Sequence, residues 1–217
     1  MEVKDPRRSI LDKIKSVRSK QEPRDRNSTP KFVHDPSKYL DMLEDLPEME
    51  FARHLIDVKG KFVYCANQKE LTLALRILYH EEQWEHIFCS EPAIREFMDR
   101  AGIPYVHDFE SIGDIEVAFT GCEFLIARTG SIMVSSYQGS GRRAFAHAPV
   151  HVVIARTSQV VSEIGEALAA VKSKYPEMPS QVSMITGPSR TADIEKTLVL
   201  GAHGPRDLYV FLLNDSI

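Results

Sequence analysis

Lys61-Phe-Val-Tyr-Cys65, Gln68 to Glu82, His86-Ile-Phe-Cys89 and Glu91 to Arg100 follow one another with almost nothing between them, and this succession decides the fold. The first and third pieces are short apolar runs of strand length. The second, with Leu71, Leu73, Leu75, Ile77 and Leu78, reads as a helix, and the fourth ends at Gly102 and Pro104, a helix stop. Strands alternating with helices of this length predict a mostly parallel sheet with helices packed on its faces.

The same alternation continues downstream. Val150 to Ala155, Val182 to Thr186 and Leu208 to Leu213 read as strands, and Gln159 to Lys174 as a helix with one apolar face. Between Glu116 and Ser136 two apolar stretches flank Thr129-Gly130, which predicts strands joined by a tight turn. Upstream, Tyr39 to about Leu55 has helical periodicity interrupted by Pro47. The first 26 residues hold nine Lys or Arg against five acids, so this arm is about +4 in a chain of net −4, and the remainder is about −8. Ser9 precedes Ile10, Leu11, Ile14 and Val17 at helical spacing, which predicts a short basic amphipathic helix, and residues 20–37 have the composition of a linker. The expected organisation is therefore a basic N-terminal helix and linker over 1–37 and one α/β domain over 38–217.

Composition narrows the function. With 217 residues, 43% of them hydrophobic, the chain can bury one sizeable core. No apolar run reaches 18 residues, so no membrane insertion is expected, and the cytoplasm is the default compartment. The net charge of −4 gives no general attraction to nucleic acid. Cys65, Cys89 and Cys122 are widely spaced and odd in number, which argues against a disulfide framework and supplies no Cys-x-x-Cys ligand pair. They read as small buried side chains. His147 and His151 are four apart, but Pro149 between them denies the helix a two-histidine metal site requires, so no metal is expected.

Two stretches carry most of the turn formers and hydrogen-bonding side chains. In residues 185–206, Gly187-Pro188 breaks an apolar run, Ser189 and Thr191 are placed to cap a helix over Ala192 to Leu200, and Gly201 would stop it. Free N–H groups at such a helix start favour an anion, with Arg190 beside them; an ordinary capped turn fits the same residues. Asp193 and Glu195 would then sit in the first turn, where carboxylates favour the helix dipole. Gly139-Ser-Gly-Arg-Arg143 is the second stretch: an anion loop built on Arg142, or a surface turn, without the Gly-Lys-Ser/Thr ending of a nucleotide loop. Glu123 stands among apolar residues; pointing inward, it would be a desolvated carboxylate of raised pKa, usable as base or nucleophile, and pointing outward an ordinary strand residue. His151, opening an apolar strand, reads as a partly buried, satisfied histidine, and His203, between glycines, as the better catalytic candidate.

Thr-Gly-Cys-Glu-Phe-Leu-Ile-Ala-Arg-Thr-Gly-Ser-Ile (120–132), Ala-Pro-Val-His-Val-Val-Ile-Ala (148–155) and the block from Ile185 to Pro205 together resemble the LutC/YkgG family, the LUD-domain proteins of lactate utilisation operons. The resemblance implies a three-layer Rossmann-like α/β fold of the NagB/RpiA/CoA-transferase-like type with an N-terminal helical arm. It implies a non-cluster subunit, binding no cofactor itself, that acts with iron–sulfur partner proteins in oxidising L-lactate to pyruvate. The family pattern falls here on Thr129, Gly130, Arg142, His151, Gly187, Pro188, Ser189, Arg190, Thr191, Asp193, Glu195, Gly201, His203, Gly204 and Pro205; Arg128 stands where many relatives carry an acid. The expected site is a pocket for a small anionic ligand made by the 128–131 turn, the 139–143 loop and the 187–191 turn. Arg142 and Arg190 would clamp the anion, and Thr129, Ser189, Thr191 and the backbone of Gly130 and Gly187 would surround it. The alternatives are an independent transferase or isomerase for a CoA thioester or sugar phosphate, with Glu123 as nucleophile or base, and a non-catalytic regulatory binding protein.

Overall fold

The computed structural model of the chain describes residues 46–108, 115–139, 144–145, 148–192, 198–200 and 204–215, with the backbone alone at 190–192 and 198–200. Its main sheet has five parallel strands, β1 (Lys61–Cys65), β2 (Ile87–Phe88), β3 (Val117–Thr120), β6 (Val150–Arg156) and β11 (Asp207–Leu213), in the spatial order β1-β11-β6-β3-β2. Central strands β6 and β11 are buried along nearly their whole length because both faces are covered, which is why they read as unbroken apolar runs.

Helices α2 (Gln68–Glu82) and α3 (Pro92–Ala101) cover one face. Asn67 caps α2, its side-chain oxygen accepting from the N–H groups of Lys69 and Glu70, both at 3.0 Å, while Glu70 reaches back to the N–H of Ala66. Pro92 opens α3, and Gly102 closes it in the left-handed region at φ 70°. The other face meets α1 (Pro47–Asp57) and a second, four-stranded sheet. That sheet, ordered β7-β4-β5-β8, consists of β7 (Val160–Val161), β4 (Phe124–Ile126), β5 (Ser131–Ser135) and β8 (Val182–Ile185). Its far side is covered by α4 (Ile164–Lys174) through Ile126, Met133, Ala167 and Val171.

The expected α/β class with a parallel sheet is what the chain adopts, and the turn at Thr129-Gly130 joins antiparallel β4 and β5. Three expectations change. Pro47 does not interrupt a helix; it starts one, at the first position, where its missing N–H costs nothing. The helix expected from Gln159 begins at Ile164, because the β-branched pair Val160-Val161 extends the small sheet beside Leu125 and Ile126. No helix runs from Ala192 to Leu200: β9 (Arg190–Ala192) and β10 (Leu198–Leu200) pair antiparallel, with Val199 opposite Thr191. Two β-branched residues in register favour the extended form, and the helix-start argument for an anion at Arg190 loses its helix. The N-terminal arm, Arg142, His147, Asp193, Glu195, Gly201 and His203 lie outside the described residues.

Candidate functional site

The β4–β5 hairpin separates two groups of polar residues. At its open end, against the carboxyl ends of β2 and β3, Glu123 points inward and is 2% exposed. Its carboxylate accepts from Ser135 Oγ at 2.5 Å, Lys174 Nζ at 2.7 Å and Tyr175 OH at 2.8 Å. Burial alone would push this carboxyl up, but the three donors outweigh it and hold the group below its ordinary value. Inward placement was half of the sequence reading; the raised pKa was the other half, and the donors reverse it. A carboxylate so engaged stays ionised and ties β4 and β5 to the end of α4, with little left to attack or accept a proton. Lys174 remains a cation: burial opposes its charge, and Glu123 more than compensates.

The neighbouring polar groups are engaged in the same way. Glu91 accepts the N–H of Gly121 at 3.1 Å, and a Cβ on Gly121 would sit 2.9 Å from that carboxylate. Ser90 Oγ donates to the Gly139 carbonyl, Gln138 Oε1 accepts from the N–H of Ser135, and Gln159 Nε2 donates to the Cys122 carbonyl. Ligands of open parallel sheets ordinarily bind beyond the carboxyl ends of the strands. Here a self-satisfied network stands before two of them.

The closed end of the hairpin gathers what the sequence singled out. Gly130 is at φ 60°, and a Cβ on it would overlap the backbone of His54 and Leu55 in α1. His54 Nδ1 donates to the Ala127 carbonyl at 2.8 Å, fixing the turn to the helix. Ser131 Oγ meets Thr186 Oγ1 at 2.7 Å across the β5–β8 pairing. Beyond it Gly187, at φ 78°, packs on Val58, whose carbonyl would lie 2.6 Å from an added Cβ. The N–H of Ser189 donates to the Pro205 carbonyl at 2.7 Å, and the N–H of Arg206 to the Pro149 carbonyl at 2.8 Å, so the block folds back to the amino ends of β6 and β11. Thr129, Gly130, Gly187 and Ser189 therefore share one side of the molecule. Gly139, where the second loop begins, stands at the opposite end of the hairpin. Arg128 pairs with Glu163 at 2.9 Å on the surface.

His151, two residues after Pro149, is wholly buried in β6 rather than partly so. Its Nε2 lies 2.8 Å from Thr120 Oγ1, while Nδ1 has no partner among the described residues. Burial pushes its pKa down to about 3. Thr129 Oγ1 is likewise buried without a partner. They are two of five buried side-chain polar atoms without a hydrogen-bond partner among the described residues. Sequence reasoning missed His54, Ser135, Lys174 and Tyr175; each meets its partner across more than ten residues of chain, and nothing local announces such contacts. The cysteines are buried as expected, and burial raises their thiols, that of Cys89 to about 12.

A family model, the LUD domain, matches residues 105–213, which is half of the chain and includes the hairpin, His151 and the 185–205 block. The chain belongs to the LUD domain family. Among curated relatives of this LUD protein, an uncharacterized protein of Neisseria meningitidis serogroup B is 40% identical over 50% of this chain and 47% of its own length. Lactate utilization protein C of Deinococcus radiodurans is 34% identical over 45% of this chain and 46% of its own, and that of Bacillus licheniformis 33% identical over 41% and 38%. The LutC/YkgG resemblance is thereby confirmed, and the matches span about half the length of these relatives or less. A DUF162 family protein of Deinococcus radiodurans has the same fold, with a TM-score of 0.59 at 20% identity over 77% of this chain and 96% of that one. No helix among the described residues is long and apolar enough to cross a membrane.

Proposed function

We propose that this LUD protein serves lactate utilisation as the non-cluster subunit of an L-lactate-oxidising system, with the iron–sulfur clusters carried by partner proteins. The observation that carries the reading is the LUD match over 105–213 together with relatives named lactate utilization protein C. The cysteines support it: Cys65, Cys89 and Cys122 are buried and widely spaced in the chain, without a Cys-x-x-Cys ligand pair. The chain binds a small carboxylate on the amino-end side, where Thr129 Oγ1 is buried without a partner among the described residues and Ser189, Arg190 and Thr191 follow Gly187 in the chain. A transferase using Glu123 as nucleophile is the weaker reading, because that carboxylate is already held by three donors.

Arg190→Ala in the assembled system tests the anion site. The variant is expected to keep its melting temperature and to lose most lactate-dependent turnover. Undiminished turnover would remove Arg190 from the site.

A further inference from the structure

β8 closes one side of the small sheet, and its pairing with β5 uses only every second residue. One step beyond the ladder, Ser136 donates its N–H to the Gln181 carbonyl at 2.9 Å, and Met133, opposite Met184, turns its carbonyl the other way, to the N–H of Glu123. Bonded and non-bonded pairs alternate along an antiparallel ladder. Ser183 and Ile185 therefore bond β5, while the N–H and C=O groups of Val182 and Met184 point out of the sheet. Among the described residues those outward groups have no partner. Natural sheets shield such an edge with charge, proline or a bulge, and Val182-Ser-Met-Ile185 carries no charged residue and no proline.

The ground beside this edge is apolar. Met184 shares a sheet face with Met133, the face that α4 covers through Ala167 and Val171, yet it is 43% exposed because the helix lies over β4 and β7. Leu168 is seven residues before Tyr175, on the same stripe of the chain, and the Tyr175 ring meets that of Tyr137, just after β5, at 4.9 Å. Met178 lies between Tyr175 and Ser180, whose Oγ is 3.1 Å from Ser136 Oγ. Met184, Leu168, Tyr137 and Met178 are four of the six exposed large hydrophobic side chains among the described residues, so the exposure is concentrated here.

A second copy of the chain fits this edge in both respects. Two β8 strands related by a two-fold axis at Ser183 run antiparallel, with Val182 of each opposite Met184 of the other. Each such pair exchanges both backbone bonds, so every outward group of both strands is used, and the same rotation sets the two apolar patches side by side. Half-exposed side chains of this size leave roughly 100 Å² each, so the four provide about half of the roughly 800 Å² per partner that a stable dimer buries, with the flanks of β8 and α4 adjoining them.

We infer that the chain forms a two-fold homodimer by antiparallel pairing of β8, which joins the two small sheets into one. The pairing stands whether or not the chain serves lactate oxidation.

Sedimentation equilibrium and amide hydrogen exchange on the full chain test it together. At high micromolar concentration the parent chain is expected at twice its 24.6 kDa, with the amides of Val182 and Met184 protected alongside those of Ser183 and Ile185. Met184→Pro removes an outward N–H without touching a bond to β5, and Leu168→Glu puts a charge into the patch while leaving the strand intact. Both are expected to halve the mass with an unchanged circular dichroism spectrum. In Leu168→Glu the Val182 and Met184 amides lose protection, and those of Ser183 and Ile185 keep it. A monomeric parent chain, which would leave the edge to a strand of another protein, overturns the inference. So does a dimer whose Val182 and Met184 amides exchange freely, or one that survives Met184→Pro in folded form. Should the proline variant misfold, the exchange pattern of the parent chain and of Leu168→Glu decides.

Discussion

Gly130 and Gly187 show how much a single residue can carry without touching a ligand. Each holds a positive φ and lies against the backbone of α1 or of the residue following it, so an added methyl meets both a backbone penalty and a steric one. Gly130→Ala should cost more than about 2 kcal/mol in chemical denaturation, whereas Gly102→Ala, at φ 70° with nothing within 4 Å, should cost about 1 kcal/mol. Equal losses would show that packing on α1 contributes nothing. Glu123→Gln should destabilise by about 2 to 3 kcal/mol, since an amide would face three donors with only one acceptor oxygen. His151 sets a pH dependence. The unfolded chain takes up a proton there below the ordinary 6.5, while the folded chain resists down to about 3, so stability falls as the pH drops through that window, by up to about 1.4 kcal/mol per unit. Glu123, held below 4.5, adds its own loss only at lower pH. Melting curves from pH 7 to 4.5 should therefore be flatter for His151→Leu than for the parent chain. At this scale the sequence singled out the glycines as ligand contacts and Glu123 as a carboxyl of raised pKa, whereas the glycines pack on α1 and Val58 and Glu123 is held low, by partners that, like His54, come from distant elements and left no trace in it.

Among the elements, legibility followed length and burial. The four-residue and longer strands of the main sheet, helices α2 and α3, and the Gly102 stop of α3 could be read from the sequence because many residues repeat one signal, whereas the Asn67 cap of α2 was not read. Asn67→Ala should lower stability by about 1 kcal/mol, as loss of a helix cap does, and a change near zero would mean Glu70 suffices to cap α2 alone. The small sheet was only half visible. Its edge strand β7 has two residues, and the hairpin at 190–200 has three on each side, too short for a period of two to declare itself against a helical pattern. Leu198-Val-Leu200 fits either template; pairing with Thr191 decides it.

At the scale of the molecule, the described residues form a parallel sheet with α2 and α3 on one face and α1 with a second sheet on the other, and their polar groups are divided accordingly. Those at the carboxyl ends of β2 and β3 are consumed in holding the second sheet and α4 in place. The amino-end side brings together Thr129, Gly130, Gly187 and Ser189, and Thr129 Oγ1 is buried there without a hydrogen-bond partner among the described residues. The sequence could name these residues but not the side they share, since that depends on how β8 pairs with β5 and how the 204–207 backbone returns to Pro149. The central claim concerns the assembled system, and reconstitution tests it most directly: L-lactate-dependent dye reduction by the iron–sulfur partner proteins, measured with and without this chain. The account predicts strong reduction only when the chain is present. Partners fully active alone would contradict it.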